Sequence, residues 1–203
     1  KIVPFVKELS VIVARNKAGQ TAVYPTVECQ FNKVNLVEFL FSPAQISKEI
    51  EEKATKIAID IINKLDMVGI LAVELFLCEN GEILVNEIAP RPHNSGHHTI
   101  ECNITSQFEQ HLRSILNMPL GATEMTQCGV MINLLGSEGF NGKAIYKGLF
   151  NVTAIDGVHV HIYGKKITKP HRKMGHITVT DKSLEKAIKK AKDIKQKLIV
   201  ISE

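Results

Sequence analysis

The sequence predicts an α+β protein, with an antiparallel sheet and packed helices over residues 1–120 and a small α+β domain over residues 121–203. Three observations carry that prediction. Two apolar, β-branched runs flank Asn80-Gly81, the dipeptide that most favours a tight hairpin turn. Apolar stripes at helical spacing follow helix-start residues in three places, after Ser42, Ser106 and Ser183. Pro119 and Gly121 then punctuate the chain, and short apolar strands with one closing helix come after them.

The chain opens on Lys1-Ile2-Val3-Pro4-Phe5, already apolar and without an initiating Met, as a cut into a larger protein would. Glu8 to Arg15 alternates as a strand, Asn16 to Gln20 makes a turn, and Thr21 to Phe31 reads as the antiparallel partner. Ser42-Pro43-Ala44-Gln45 is expected to start a helix, with Ser42 as N-cap, Pro43 at the first helical position and Gln45 reaching back. Ile46, Ile50, Ala54, Ile57, Ile61 and Leu65 would lay one face of that helix on the sheet, ending before Gly69.

In the hairpin, a loop of Asn80 and Gly81 sets Glu79 opposite Glu82, Phe76 opposite Val85 and Glu74 opposite Glu87. Side chains alternate along a strand, so Glu74, Phe76 and Cys78 are expected to share a face with Ile83, Val85 and Glu87. Opposed Cβ atoms lie roughly 5 Å apart and like charges there repel, so the pair needs something to hold it. A shared proton would do so, and so would a hard divalent cation such as magnesium, whose octahedron a nucleotide's phosphates complete. A register one residue out, or a glutamate turned to solvent, would leave no site.

Arg91, His93, Asn94, Ser95, Gly96, His97 and His98 follow directly, with Pro90 and Pro92 holding the backbone extended. Such a cationic, donor-rich loop suits anions and developing negative charge. A zinc site of His93, His97 and His98 is the weaker reading, because Asn94-Ser95-Gly96 is turn composition and does not put two histidines on one helical face. Ser106 and Glu109 then form a capping box, and Phe108, Leu112, Ile115 and Leu116 give a stripe expected to be core.

Beyond Gly121 the pattern reads as a strand from Gly129 to Leu135, an irregular stretch through Gly148, strands from Val158 to Tyr163 and His176 to Thr180, and a helix from Ser183. Leu184, Ala187, Ile188, Ala191, Ile194 and Leu198 share one face of that helix, and its lysines are largely a solvated outer face. Lys165, Lys166, Lys169, Arg172 and Lys173 crowd the loop between two strands. That concentration suits a phosphate monoester, and equally a solubilising hairpin tip.

With 44% hydrophobic and 23% charged residues, the chain has the composition of one or two ordinary globular domains. No apolar run approaches the roughly 20 residues of a membrane helix, and no signal peptide is visible, so a cytoplasmic protein without a membrane partner is expected. Cys29, Cys78, Cys102 and Cys128 are scattered without a C-x-x-C pair, which fits reduced, mostly buried thiols. A net charge of +4 and few aromatics give no basic stripe for nucleic acid.

The run NEIAPRPHNSGHHTIECNITSQFEQHLRSILNMPLG, followed by GVMINLLG and HVHIYGKKITKPHRKMGHITVT, resembles the N5-carboxyaminoimidazole ribonucleotide synthases. These are ATP-grasp enzymes of purine biosynthesis, also called ATPase subunits of phosphoribosylaminoimidazole carboxylase. The resemblance covers essentially all 203 residues and implies the C-terminal part of an ATP-grasp fold followed by the small domain. It implies ATP with Mg2+ at Glu74 and Glu87, ribose hydroxyls at Glu8, and Lys165 and Arg172 on 5-aminoimidazole ribonucleotide. Arg91, His93, Asn94 and Ser95 would cradle carboxyphosphate, formed when bicarbonate attacks the γ-phosphorus, and the phosphate that departs. The amine would take its carboxyl group from carboxyphosphate, or from carbon dioxide released inside the closed site.

This sequence carries His171 where the family usually has glycine before the arginine of RKMGH. The resemblance further implies a glycine-rich flap, phosphate-binding lysines and an N-terminal domain upstream of the stretch that begins here, so the chain is expected to be about half an enzyme, with the missing N-terminal half and a second copy in a homodimer as partners. Another ATP-grasp carboxylate ligase and a non-catalytic nucleotide-binding fragment are the alternative functions.

Overall fold

The computed structural model describes residues 3–32 and 36–203, so Lys1 and Ile2 of the abrupt opening lie outside the described residues. Strand β1 (Lys7–Arg15) is central to the first part of the chain, paired antiparallel with β2 (Thr21–Val23), with β3 (Val27–Phe31) and with β5 (Gly69–Leu77). The expected partner Thr21 to Phe31 is thus two strands, parted around Pro25, whose ring supplies no N–H to a ladder. Strand β4 (Val37–Ser42) follows, and α1 (Lys48–Lys64) starts five residues later than expected. Its N-cap is Ser47, whose side chain accepts from the Ile50 N–H; Ser42 is instead the last residue of β4 and pairs with Gly129. The Ser-Pro signal failed because sheet pairing claims Ser42 first. Helix α1 buries Ala54, Ala58 and Ile62 against the sheet and leaves Leu65 half exposed, so its inward stripe is rotated from the one the isoleucines suggested.

The hairpin of β5 and β6 (Ile83–Ala89) departs from the expected register near the turn and rejoins it at the carboxylates. Cys78 N–H donates to Glu82 O, so the loop has three residues, and Leu77, Phe76 and Leu75 pair with Ile83, Leu84 and Val85. A bulge at Asn86 then restores the original count, and Glu74 pairs with Glu87 as expected. The correction concerns the face: Ile83 packs with Leu75 and Leu77 against α1, so Ile83 and Val85 are not on the side of Glu74. The bulge inverts the alternation between Val85 and Glu87.

A short 3-10 turn (Asn94–Gly96) and α2 (Thr99–Cys102) lead to α3 (Gln107–Ile115), which Ser106 caps by accepting from Glu109 N–H. Here the expected core stripe is overturned. Helix α3 turns Gln107, Gln110 and Ser114 inward, while Phe108, Leu112, Ile115 and Leu116 are exposed. The glutamines explain the inversion, because each amide acts as a piece of backbone for a neighbouring loop. Gln110 accepts from Gly121 N–H and donates to Gly121 O, both at 2.8 Å, and Gln107 treats His93 in the same way.

The remaining elements are β7 (Cys128–Leu135), β8 (Gly142–Lys147), α4 (Leu149–Thr153), β9 (Val158–Ile162), β10 (Ile167–Thr168), β11 (Lys173–Asp181), α5 (Leu184–Lys197) and β12 (Ile199–Ser202). The stretch before Gly148 that sequence left irregular contains β8, which sits with β10 and β12 in a separate three-stranded sheet. Its pattern was masked because it is half exposed and its partner β12 lies more than fifty residues on. Helix α5 buries Ala187, Ala191 and Ile194, and its C-cap Leu198, with β7 and β11, as its stripe indicated. Antiparallel pairing of β4 with β7 joins both parts of the chain in one sheet of order β6-β5-β1-β3-β4-β7-β11-β9. Among the described residues no helix is long and apolar enough to cross a membrane, and all four cysteines are free.

Gly148 caps α4 at φ +91°, and a Cβ there would overlap the carbonyl oxygen of Lys197 at the end of α5. Gly148→Ala should therefore cost about 3 kcal/mol, combining left-handed strain with a backbone clash, read as a lowered urea midpoint at unchanged slope.

Candidate functional site

One face of the large sheet collects the polar groups. Ser10 of β1, Glu74 of β5 and Glu87 of β6 lie side by side across three strands, and Glu8 is two residues along from Ser10 on the same face. Burial raises the Glu74 carboxyl above its ordinary range, and the charges of Glu87 and Glu8 add to the effect. Glu8 is raised by burial as well. Three carboxylates sharing a face in this way form a seat for positive charge.

Among the described residues, Glu74, Glu87 and His93 are the one group of three metal-ligand side chains that converges, their ligand atoms all within 4.8 Å of one another. The hydrogen bonds favour the two carboxylates as the ligands. His93 Nδ1 accepts from Ser95 N–H at 3.3 Å, which places the proton of the neutral ring on Nε2, the atom facing Glu74 Oε1 at 3.7 Å. His93 thereby presents a donor to the site. Burial, aided by Arg91 and Lys173, pushes its pKa down to about 4, so the ring is neutral at pH 7.

Loop 90–98 crosses this face and is held from three directions. Ser95 Oγ lies 2.7 Å from Ser10 Oγ and 2.9 Å from His93 Nδ1, linking strand, loop and imidazole. Gln107 accepts from His93 N–H at 2.8 Å and donates to His93 O at 2.7 Å. Gly96 must lack a side chain because a Cβ would overlap the Gln107 amide. Asn94 exchanges two hydrogen bonds with Asn133 of β7. Arg91 remains exposed, its guanidinium donating to Pro92 O.

The three loop histidines do not converge on one point. His97 stacks on His176, with centroids 4.8 Å apart, and His98 is buried with Nδ1 3.0 Å from Ser95 O. Their roles are packing and support of the loop.

The basic loop reaches the same region through Lys173. Burial lowers its pKa, the charge of Glu74 opposes that shift, and the charges of Arg91 and Lys165 reinforce it. Lys165 donates to Lys173 O at 2.5 Å, and Arg172 donates to Ile167 O at 2.9 Å. His171 adopts φ +61°, the left-handed conformation that glycine favours, and pairs with Glu138 at 2.7 Å.

Of the residues singled out by sequence, Glu8, Glu74, Glu87, His93 and Ser95 are thus brought to one face, while Lys165 is tied to Lys173 O and Arg172 turns back to Ile167 O. Sequence reasoning missed Ser10, Gln107, Asn133 and the inward role of Lys173 as members of the site. The one available signal was Ser10, a polar residue in phase with Glu8 on an otherwise apolar strand.

A family model described as the ATP-grasp domain matches residues 1–108, and one described as the phosphoribosylaminoimidazole carboxylase C-terminal domain matches residues 129–190. The chain is 45% identical over 176 residues to the N5-carboxyaminoimidazole ribonucleotide synthase of Bacillus subtilis, covering 87% of this chain and 44% of that protein. Among solved structures it is similar to the N5-carboxyaminoimidazole ribonucleotide synthetase from Thermotoga maritima, at 50% identity and a TM-score of 0.93 over 100% of this chain and 54% of that one. It is also similar to the N5-carboxyaminoimidazole synthase from Aspergillus clavatus in complex with ADP and 5-aminoimidazole ribonucleotide, at 34% identity and a TM-score of 0.88, covering 97% of this chain and 52% of that one. The chain therefore spans about half the length of these relatives and about a third of the longer phosphoribosylaminoimidazole carboxylases it also matches, such as that of Saccharomyces cerevisiae.

Proposed function

The chain belongs to the ATP-grasp family, and from that premise we propose that the polypeptide carrying it uses ATP and bicarbonate to carboxylate 5-aminoimidazole ribonucleotide, giving N5-carboxyaminoimidazole ribonucleotide by way of carboxyphosphate. The observation that carries this reading is the meeting, on one sheet face, of the Glu74–Glu87 pair and the donor-rich loop, with Lys173 of the basic hairpin within electrostatic reach of Glu74.

Magnesium held by Glu74 and Glu87 would neutralise phosphate charge when ATP is bound. Glu8, raised by burial, faces the same side and suits the vicinal hydroxyls of a ribose. Bicarbonate attack on the γ-phosphorus releases ADP and forms a mixed anhydride. Arg91 supplies fixed positive charge to that anion, neutral His93 donates from Nε2, the Asn94 amide offers a further N–H, and the buried Ser95 hydroxyl, donating to His93 Nδ1, holds the ring of the cradle in place. Attack by the exocyclic amine on the carboxyl carbon then expels phosphate and loses a proton. Lys165 and Arg172 anchor the ribonucleotide's phosphate, and exclusion of water protects the anhydride. A cytoplasmic homodimer is part of the same reading.

The test is ADP release by the full polypeptide with magnesium and bicarbonate, with and without 5-aminoimidazole ribonucleotide. Release that depends on both magnesium and the ribonucleotide supports the assignment; release indifferent to the ribonucleotide points to another acceptor, and none at all to a non-catalytic module. Arg172→Ala should raise the KM for the ribonucleotide about 30-fold, roughly 2 kcal/mol of charge-assisted binding, with the KM for ATP unmoved. A change in the ATP KM alone would refute the phosphate role.

A further inference from the structure

We propose that Asn133 is a positioning residue for the anion loop, acting through Asn94. The inference rests on the reading of Arg91, His93, Asn94 and Ser95 as the cradle for carboxyphosphate and phosphate.

Asn133 lies on β7, inside the segment that matches the carboxylase C-terminal domain, and is 7% exposed. Its neighbours Ile132 and Leu134 point into the core with α5, so Asn133 points to the opposite face, beside His176 on β11. There its amide meets the amide of Asn94 in a reciprocal pair. Asn94 Nδ2 donates to Asn133 Oδ1 at 2.9 Å, and Asn133 Nδ2 donates to Asn94 Oδ1 at 3.0 Å. Asn133 Nδ2 gives a second hydrogen bond, 2.9 Å long, to the carbonyl oxygen of Val37 on β4.

That last bond sets the polarity of the whole arrangement. A backbone carbonyl only accepts, so the atom of Asn133 facing Val37 must be the nitrogen. Once Asn133 is oriented, Asn94 is oriented too, since a flip of either amide would set nitrogen against nitrogen and oxygen against oxygen. Asn94 therefore presents one amide orientation to the loop, with its remaining N–H directed by a strand thirty-nine positions away in sequence. A half-buried asparagine on a turn would otherwise be free to rotate, and an anion cradle requires donors already pointing inward.

The arrangement also gives the carboxylase-type segment a direct hold on the anion loop of the ATP-grasp segment. The same β7 pairs with β11, whose first residue is Lys173. A single strand thus fixes the loop on one side and carries the basic hairpin on the other.

The test compares Asn133→Ala, Asn94→Ala and the double variant in the full polypeptide. Each single variant should lower kcat about tenfold with the KM for ATP within about twofold, and the double should be no slower than Asn94→Ala, because Asn133 acts through Asn94. Multiplying losses in the double variant would overturn the inference. So would a lowered thermal midpoint with kcat unchanged, which is the mark of a purely structural residue.

If Asn133→Ala does not fold, Asn133→Asp has the same shape but cannot donate to Asn94 or Val37, and its kcat must fall likewise. Calorimetric titration with inorganic phosphate in the presence of magnesium and ADP reads the same lock without turnover. Affinity about tenfold weaker in both single variants supports the lock, and unchanged affinity overturns it. Turnover of the unaltered protein that ignores the ribonucleotide would defeat the proposed reaction while this titration still decides the role of Asn133.

Discussion

Replacing Glu87 by glutamine should lower magnesium-dependent turnover of the full polypeptide by about a thousandfold, close to 4 kcal/mol, while the thermal midpoint stays level or rises. The two effects separate because they come from different properties of one carboxylate. As a ligand, Glu87 supplies half of a pair that would hold the cation, and an amide oxygen is a poor replacement for a charged one. As a charge, it stands directly across the ladder from Glu74, where its field helps to raise the Glu74 carboxyl. Glutamine is nearly isosteric and removes that repulsion, so the sheet gains what the site loses. Paired measurements of turnover against magnesium concentration and of the unfolding midpoint check this, and a variant that turns over normally would sink the metal assignment.

Acidification should unfold the protein between about pH 6.5 and pH 4. Burial pushes His97 and His98 down to about 4 and His176 down to about 3, from 6.5 in the unfolded chain. Below pH 6.5 the unfolded chain takes up protons that the folded one refuses. Stability is therefore full above that pH and drains away as the pH falls towards the folded values. Three such groups give a slope approaching about 4 kcal/mol per pH unit near pH 5, enough to exhaust the roughly 5–15 kcal/mol of a typical domain within the window. The chain has no tryptophan, so far-ultraviolet circular dichroism is the probe of unfolding. Imidazole nitrogen shifts report the rings directly, and titration of all three near 6.5 in the folded protein would contradict the argument.

The hairpin shows how far sequence reasoning reached and where it stopped. The glutamate pair was identified correctly from a loop one residue too short, because the bulge at Asn86 adds back the residue that the loop takes away. Alternation carried through that bulge put Ile83 and Val85 on the wrong side, and no local signal at Asn86 marks the irregularity. Helix α3 shows the opposite failure. Its cap was legible at Ser106, yet its buried side was not, since an apolar stripe ordinarily faces inward. Two glutamines outweighed it, each satisfying a backbone N–H and a C=O that would otherwise be buried without partners.

By itself the sequence determined what depends on residues close together in the chain. The cap of α5 at Ser183, the succession of Glu87, Arg91, His93, Asn94 and Ser95, and the motifs that carry the family resemblance are all of this kind. The tertiary structure alone decided which distant groups meet them. Ser10 reaches Ser95 across 85 positions, Asn133 reaches Asn94 across 39, and Lys173 comes within the field of Glu74. The physical reason is that a hydrogen bond or a charge acts over a few ångströms of space regardless of sequence separation, and strand order and register, which set those distances, are the outcome of packing the whole sheet.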